Sequence, residues 1–250
     1  MVGDKMPPKI PSKLNLCPII ESVFEIRFDS DFDANIVFAL IYSVLKDDFP
    51  KVESLPLSGL PPKQLDSDPD LKYQPAYKLH YKEDCGKVIQ IGAKMIGFSF
   101  ASDYTGWSHF SSFIIQYLQI IKTTNVFSKI VRVGFRVINF IEGDVFLEDK
   151  IRLIIKLGED NIPYKDTSLR TMFTEGVIFS NVYIINHASL NKSQVKKIGS
   201  VIDIDTFSSE CEQFLENPQG PLDRVHEVEK KVFFNLLTES YIKSLQPEYE

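Results

Sequence analysis

The chain has 250 residues, 44% hydrophobic and 25% charged, a mixture that supports a buried core and excludes a low-complexity chain. A formal charge of −6 and a pI near 5.4 speak against a nucleic-acid binder, whose phosphate-facing surface is usually basic. Three distant cysteines, Cys17, Cys85 and Cys211, with no CxxC pair, exclude a disulfide framework and point to a reducing compartment. The first twenty residues hold no apolar stretch of signal-peptide length and no run approaches the length of a spanning helix, so the expectation is a cytoplasmic protein without membrane association.

In chain order, residues 1–17 are rich in Pro and Lys and predict an arm. Ile19–Phe28 alternates as a strand, with Ile20, Phe24, Ile26 and Phe28 on one face and Glu21, Val23, Glu25 and Arg27 on the other. Asp33 is placed to cap the helix that begins at Ala34. Pro50, Pro56, Pro61, Pro62, Pro69 and Pro75 then predict one long exposed loop over residues 50–75. "AYKLHYKED", "GKVIQIG" and "KMIGFSFAS" read as strands with Gly-marked turns. "GWSHFSSFIIQYLQIIKTT" reads as a helix with an apolar surface wide enough for two neighbours.

The second part opens on Ser128–Ile141, a strand that carries Arg132 and Arg136 on one face and Val133, Phe135, Val137 and Asn139 on the other. "LEDKIRLIIKLGED" predicts a short helix, and "GVIFSNVYIINHAS" and "KIGSVIDIDTF" predict strands. A last helix follows Pro221, with Val225, Val228, Val232 and Leu236 as its apolar stripe.

The element order repeats. Phe24 aligns with Phe135, Pro50 with Pro163, Gly86 with Gly199 and His109 with His226, at offsets of 111, 113, 113 and 117. The predicted fold is therefore α+β: two internally duplicated βαβββα lobes, residues 18–127 and 128–250, joined in one compact domain. Their strands form a mainly antiparallel sheet system covered by helices. Antiparallel pairing of the two leading strands would set Glu21 opposite Arg136, Val23 opposite Gly134 and Glu25 opposite Arg132, acids of one lobe against bases of the other.

These landmarks resemble a sporadically distributed prokaryotic family of proteins of about this length, defined by sequence and of unknown function. The resemblance rests on Pro18, Ile19 and Glu21 with Ile26 and Phe28, then Gly106 and Trp107. It continues through Arg132, Gly134, Arg136, Ile138 and Asn139, then Ile202 and Asp203, then Leu245, Pro247 and Tyr249. It spans nearly the whole chain, and the order of the motifs is more specific than any one of them. It implies a bacterial or archaeal source and an association with mobile or defence genes. It supplies no activity and no catalytic residues.

Candidate chemistry is sparse. Arg132 and Arg136, flanking Gly134, offer two guanidiniums for a phosphate or carboxylate, or else partners for the structural charge pairs with Glu21 and Glu25. Asp203 and Asp205 share a strand face and are weak metal candidates, since no further oxygen ligands accompany them. His80, His109, His187 and His226 show no zinc spacing, although His109 and His226 occupy matched helix positions and are candidates for a facing pair. Trp107, the only tryptophan, is either a staple for its helix or an aromatic surface for a partner. No nucleotide-loop, hydrolase or kinase signature occurs, and no cofactor is indicated. The sequence thus favours a non-catalytic binding or interaction protein whose partner is another protein or a second copy. The alternative is an enzyme or ligand-binding protein for a small anion held by Arg132 and Arg136.

Overall fold

Strand β1 (Lys13–Leu14) leads into β2 (Ile19–Asp29), helix α1 (Ala34–Leu45) and strand β3 (Lys51–Ser54). Helix α2 (Pro62–Ser67), strands β4 (Pro75–His80), β5 (Lys87–Gly92) and β6 (Met95–Phe100) and helix α3 (Trp107–Lys122) complete the first part. The second part comprises β7 (Lys129–Glu142), β8 (Lys156–Leu157), β9 (Asp160–Asn161), β10 (Ser168–Glu175), β11 (Ile178–Lys192) and β12 (Val195–Ser208). It closes with helices α4 (Gln219–Leu236) and α5 (Glu239–Ser244) and strand β13 (Pro247–Glu248). This computed structural model describes residues 9–83, 85–100, 104–146, 149–161, 167–192 and 195–249. None of the described helices is long and apolar enough to cross a membrane.

Nine strands form one sheet in the order β10-β11-β12-β7-β2-β6-β5-β4-β3, and every neighbouring pair is antiparallel. The α+β class and the mainly antiparallel sheet are as the sequence predicts. The two leading strands, β2 and β7, lie side by side at its centre, but in a different register. Glu21 faces Ile138, Val23 faces Arg136 and Glu25 faces Gly134, two residues away from the expected pairing. A slip of two keeps every side chain on its face, so alternation cannot distinguish the two registers. The observed one sets Phe24 opposite Phe135 on the covered face.

Helices α1, α3 and α4 cover that face and bury two apolar clusters against it. The first is built on Phe24, Phe98, Phe110, Phe113 and Phe135, with Val37 and Ile41 of α1 and Ile114 and Leu118 of α3. The second joins Ile141, Val182, Ile184, Ile202 and Ile204 of the sheet to Phe233 and Phe234 of α4 and Ile242 of α5. The apolar surface of α3 is used up here: Phe110, Phe113, Ile114, Tyr117, Leu118 and Ile121 are all buried. The opposite face of the sheet carries charged and polar side chains.

Several local expectations need correction. The proline-rich stretch 50–75 is structured rather than one long loop: β3 pairs with β4, and Pro56–Gly59 and α2 form short helical turns. Proline there occupies first-turn positions, where its missing N–H costs nothing. Leu65 of α2 is buried with Ala34 and Ala93. The short helix expected over 147–160 is absent from the described part of that stretch. Ile151 instead bridges to Leu237 and is buried in the second cluster, and Gly158, at φ 65°, turns β8 back onto β9. Pro163 lies outside the described residues. Helix α4 starts at Gln219, so Pro221 falls inside its first turn. The last helix also breaks near Leu237, because Thr238 caps the separate α5 with a bond from the Tyr241 N–H to its hydroxyl at 3.3 Å. Asp33 caps α1 as expected, accepting from the Asn35 and Ile36 amides at 3.0 and 3.1 Å.

Of the expected arm, residues 1–8 lie outside the described residues, and the stretch from Ser12 to Leu16 is tied down. β1 pairs with β13, so the two ends of the described chain clasp each other beside α4. Ser12 N–H donates to the Glu248 carbonyl at 2.8 Å, and Leu16 N–H to the Leu245 carbonyl at 3.1 Å.

Candidate functional site

On the open face, both candidate arginines are held by carboxylates. Arg132 donates from Nη2 to both carboxylate oxygens of Asp205, at 2.8 and 2.6 Å, and from Nη1 to Glu25. Glu25 also accepts from Arg27 Nε at 2.6 Å. Arg136 grips Asp203 through Nε and Nη2, at 2.8 and 2.6 Å. Bidentate geometry of this kind makes a strong charge-assisted pair. Glu25 is thus a charge partner of Arg132, whereas Glu21 only accepts a long bond from Ser99, at 3.5 Å. Asp203 and Asp205, the weak metal candidates, supply the other carboxylates. No cluster of three His, Cys, Asp or Glu suited to a metal occurs among the described residues.

Gly134 explains why the pair closes so well. A Cβ there would sit 3.1 Å from Arg132 Nη1 and 3.1 Å from Phe207 Cβ. The space a missing side chain leaves for a ligand is filled by the protein's own guanidinium, whose carbon lies 4.2 Å from the centre of the Phe207 ring. The surrounding hollow is lined by Glu21, Glu25, Asp203 and Asp205 against Arg27, Arg132, Arg136 and Arg170. Its charges balance, so it has no net field to draw an anion in.

The covered face holds a different kind of site. A cavity of about 300 Å³ opens where the two apolar clusters meet. Phe135, Val137 and Asn139 of β7 form its floor, and Phe233 and Phe234 of α4 one wall. The arm, from Pro11 to Ile19, forms another wall. Tyr104, Gly106 and Trp107 close the end at the start of α3. Gly106 takes φ 100°, a value that glycine tolerates and other residues resist, and so turns the chain sharply into the helix.

Trp107 is locked in place. Its ring stacks on His226 at 4.0 Å and 3°, packs on Phe135, and its Nε1–H donates to Asp223 Oδ1 at 2.8 Å. It is a staple for the helix and a wall of the cavity at once. His226 therefore meets Trp107 rather than His109, which lies exposed with its ring nitrogen 3.2 Å from the Thr105 carbonyl. Burial drives the His226 pKa down to about 4, with the Lys230 charge adding to the effect, so the imidazole is neutral. Of the other histidines, His80 pairs with Glu53 at 2.8 Å across β3 and β4. His187, at φ 59°, sits in the irregularity of β11 between Ile185 and Ala188.

Two polar groups on the cavity lining lack hydrogen-bond partners among the described residues. Asn139 is 0% exposed; its amide donates to the Ile202 carbonyl at 3.4 Å, while its Oδ1 has no hydrogen-bond partner. Glu229 is 6% exposed on α4, and its carboxyl makes no hydrogen bond or ion pair with any described residue. Burial pushes its pKa up to about 8, despite the opposing charge of Lys230. Tyr104 is pushed well above the usual phenol range, first by burial and then by the Glu229 charge. An orphaned buried acceptor costs on the order of 1–3 kcal/mol, and two on one cavity call for an explanation.

Sequence reasoning singled out Trp107, His226 and Asn139 but missed Glu229 and Tyr104. The signal for Glu229 was its spacing. It stands four residues after Val225 and four before Phe233, on the stripe that α4 buries. No family model matches the chain and no curated protein matches it in sequence.

Proposed function

We propose that this chain is a non-catalytic binding protein whose site is the cavity between the arm, α3, α4 and the centre of the sheet. One observation carries the reading: two buried polar groups, Asn139 Oδ1 and the Glu229 carboxyl, have no hydrogen-bond partner among the described residues and sit on the lining of a largely apolar cavity. Small-molecule sites have this composition, an apolar enclosure with a few fixed polar groups that orient the guest. The arginine pair of the open face supports the anion alternative less well, because an anion would have to displace Asp203, Asp205 and Glu25 from guanidiniums they already satisfy.

The architecture fits a duplication of the two halves, which we read as pseudo-equivalent. Outward from β2 the strands run β6, β5, β4, and outward from β7 they run β12, β11, β10. On that reading the cavity lies beside the pseudo-twofold and the arm seals it.

A fragment screen read by ligand-observed NMR tests the site. The expected result is a set of fragments that bind the wild type and are lost in Val137→Phe, which fills the floor. Fragments that bind both proteins alike would place the site elsewhere.

A further inference from the structure

Resting on this cavity reading, we infer that its ligand is a small organic cation, an ammonium or guanidinium on an apolar body, with Glu229 as its counter-ion and Asn139 Oδ1 as a second acceptor. The polar groups that lack partners on the lining are the evidence. The Asn139 amide nitrogen is already bonded and only its oxygen is left over, so the floor asks for a donor. The Glu229 carboxylate, when ionised, is acceptor-only and has no cation within ion-pair distance among the described residues. A cationic guest that donates to both oxygens relieves both costs, whereas an anionic guest can accept only from the protonated Glu229 carboxyl and leaves Asn139 Oδ1 orphaned.

The rest of the lining suits the same guest. Tyr104, Trp107, Phe135 and Phe233 provide ring faces and apolar walls that accommodate an organic cation's body and attract its charge. The charged and titratable groups around Glu229 come from every wall. His226 and Lys230 lie on α4, Tyr104 precedes α3, and Cys17 and Lys13 lie on the arm. Lys13 is paired with Glu248 at 3.6 Å, His226 is neutral, and Lys230 acts on Glu229 through its charge, lowering its pKa against the effect of burial.

Three probes on one phenethyl frame separate the possibilities: phenethylamine as the cation, phenethyl alcohol as the neutral analogue and 3-phenylpropionate as the anion. Trp107 is the only tryptophan and forms a wall of the cavity, so its fluorescence reports binding there; calorimetry gives the affinity. The amine should bind at least about tenfold more tightly than the alcohol, and the anion more weakly than either. Its affinity should rise at least about tenfold between roughly pH 6 and pH 8 as Glu229 releases its proton, while the alcohol stays flat. Glu229→Gln should abolish both the preference and the pH dependence while keeping the alcohol's affinity, with thermal unfolding as the check on its fold. If amine and alcohol bind the wild type equally at every pH, the ligand class is overturned and the cavity reading survives. Should none of the three probes perturb Trp107 or produce heat, both fall.

Discussion

Glu229, buried, and His226, half-buried, lie on the same turn of α4, and their pKa values move in opposite directions. The carboxyl rises from an ordinary 4.5 to about 8, and the imidazole falls from 6.5 to about 4. A carboxyl raised on folding contributes stability that is complete below its unfolded value and is lost as pH climbs to its folded value. A histidine lowered on folding does the reverse: its contribution is complete above its unfolded value and is lost as pH falls to the folded one. Between pH 4.5 and 6.5 the two slopes oppose each other, and from 6.5 to 8 only the loss from Glu229 remains. Stability in the absence of ligand should therefore be nearly level across the first window and decline across the second. Glu229→Gln should remove the decline and raise the melting temperature at about pH 8, by an amount equivalent to a few kcal/mol, with little effect at about pH 5. Melting temperatures of the two proteins across that range are the measurement, and parallel curves would show that Glu229 is not buried uncompensated.

Strand β7 shows what alternation can and cannot encode. The faces were legible: Arg132 and Arg136 lie on the polar side, and Val133, Phe135, Val137 and Asn139 on the covered one. The register was not, because a two-residue slip preserves every face. The partners were not legible either. Arg132 and Arg136 bond to Asp205 and Asp203, 73 and 67 residues away, and nothing local fixes which acid meets which base. The alignment of "GKVIQIG" with "GSVIDID" matched β5 to β12, yet it is β6, not β5, that flanks β2 as β12 flanks β7. Repeated strand composition made that match easy. The cavity was the least legible feature, since Cys17, Trp107, Asn139 and Glu229 are brought together only by the completed fold. The two arginines should also differ in weight. Arg132 is largely buried between two carboxylates, and Arg132→Leu leaves Glu25 and Asp205 facing each other, at a cost of about 2–4 kcal/mol. Arg136 is half exposed, and Arg136→Leu should cost no more than about 1 kcal/mol. Urea unfolding of the two variants checks the ranking, and equal costs would mean the Arg132 network adds nothing beyond an exposed pair.

At the scale of the molecule, the boundary between residues 127 and 128 separates two sets of elements but not two cores. Phe24, Phe98 and Phe113 of the first part share one apolar cluster with Val133, Phe135, Phe214 and Val225 of the second. Phe24 lies opposite Phe135 on β7, and its ring also packs on Phe214, with centroids 6.1 Å apart. Cutting there would strip Phe135 of its neighbours and turn β7 into a long unpaired edge, a surface that invites aggregation. The clasp of β1 with β13 adds a second tie, because the arm of the first part pairs with the last strand of the second. A fragment of residues 128–250 should therefore fail to give a dispersed NMR spectrum on its own, and the intact chain should unfold in one cooperative step. Deleting residues 1–17 is the milder cut. It removes β1 and much of one cavity wall but leaves the nine-stranded sheet paired, so the chain should stay folded. Trp107 should then become more accessible to acrylamide, and binding at the cavity should weaken before stability is lost. A truncated chain with unchanged quenching would show that the arm does not seal the cavity, and one that no longer folds would show that the clasp holds the sheet together as well.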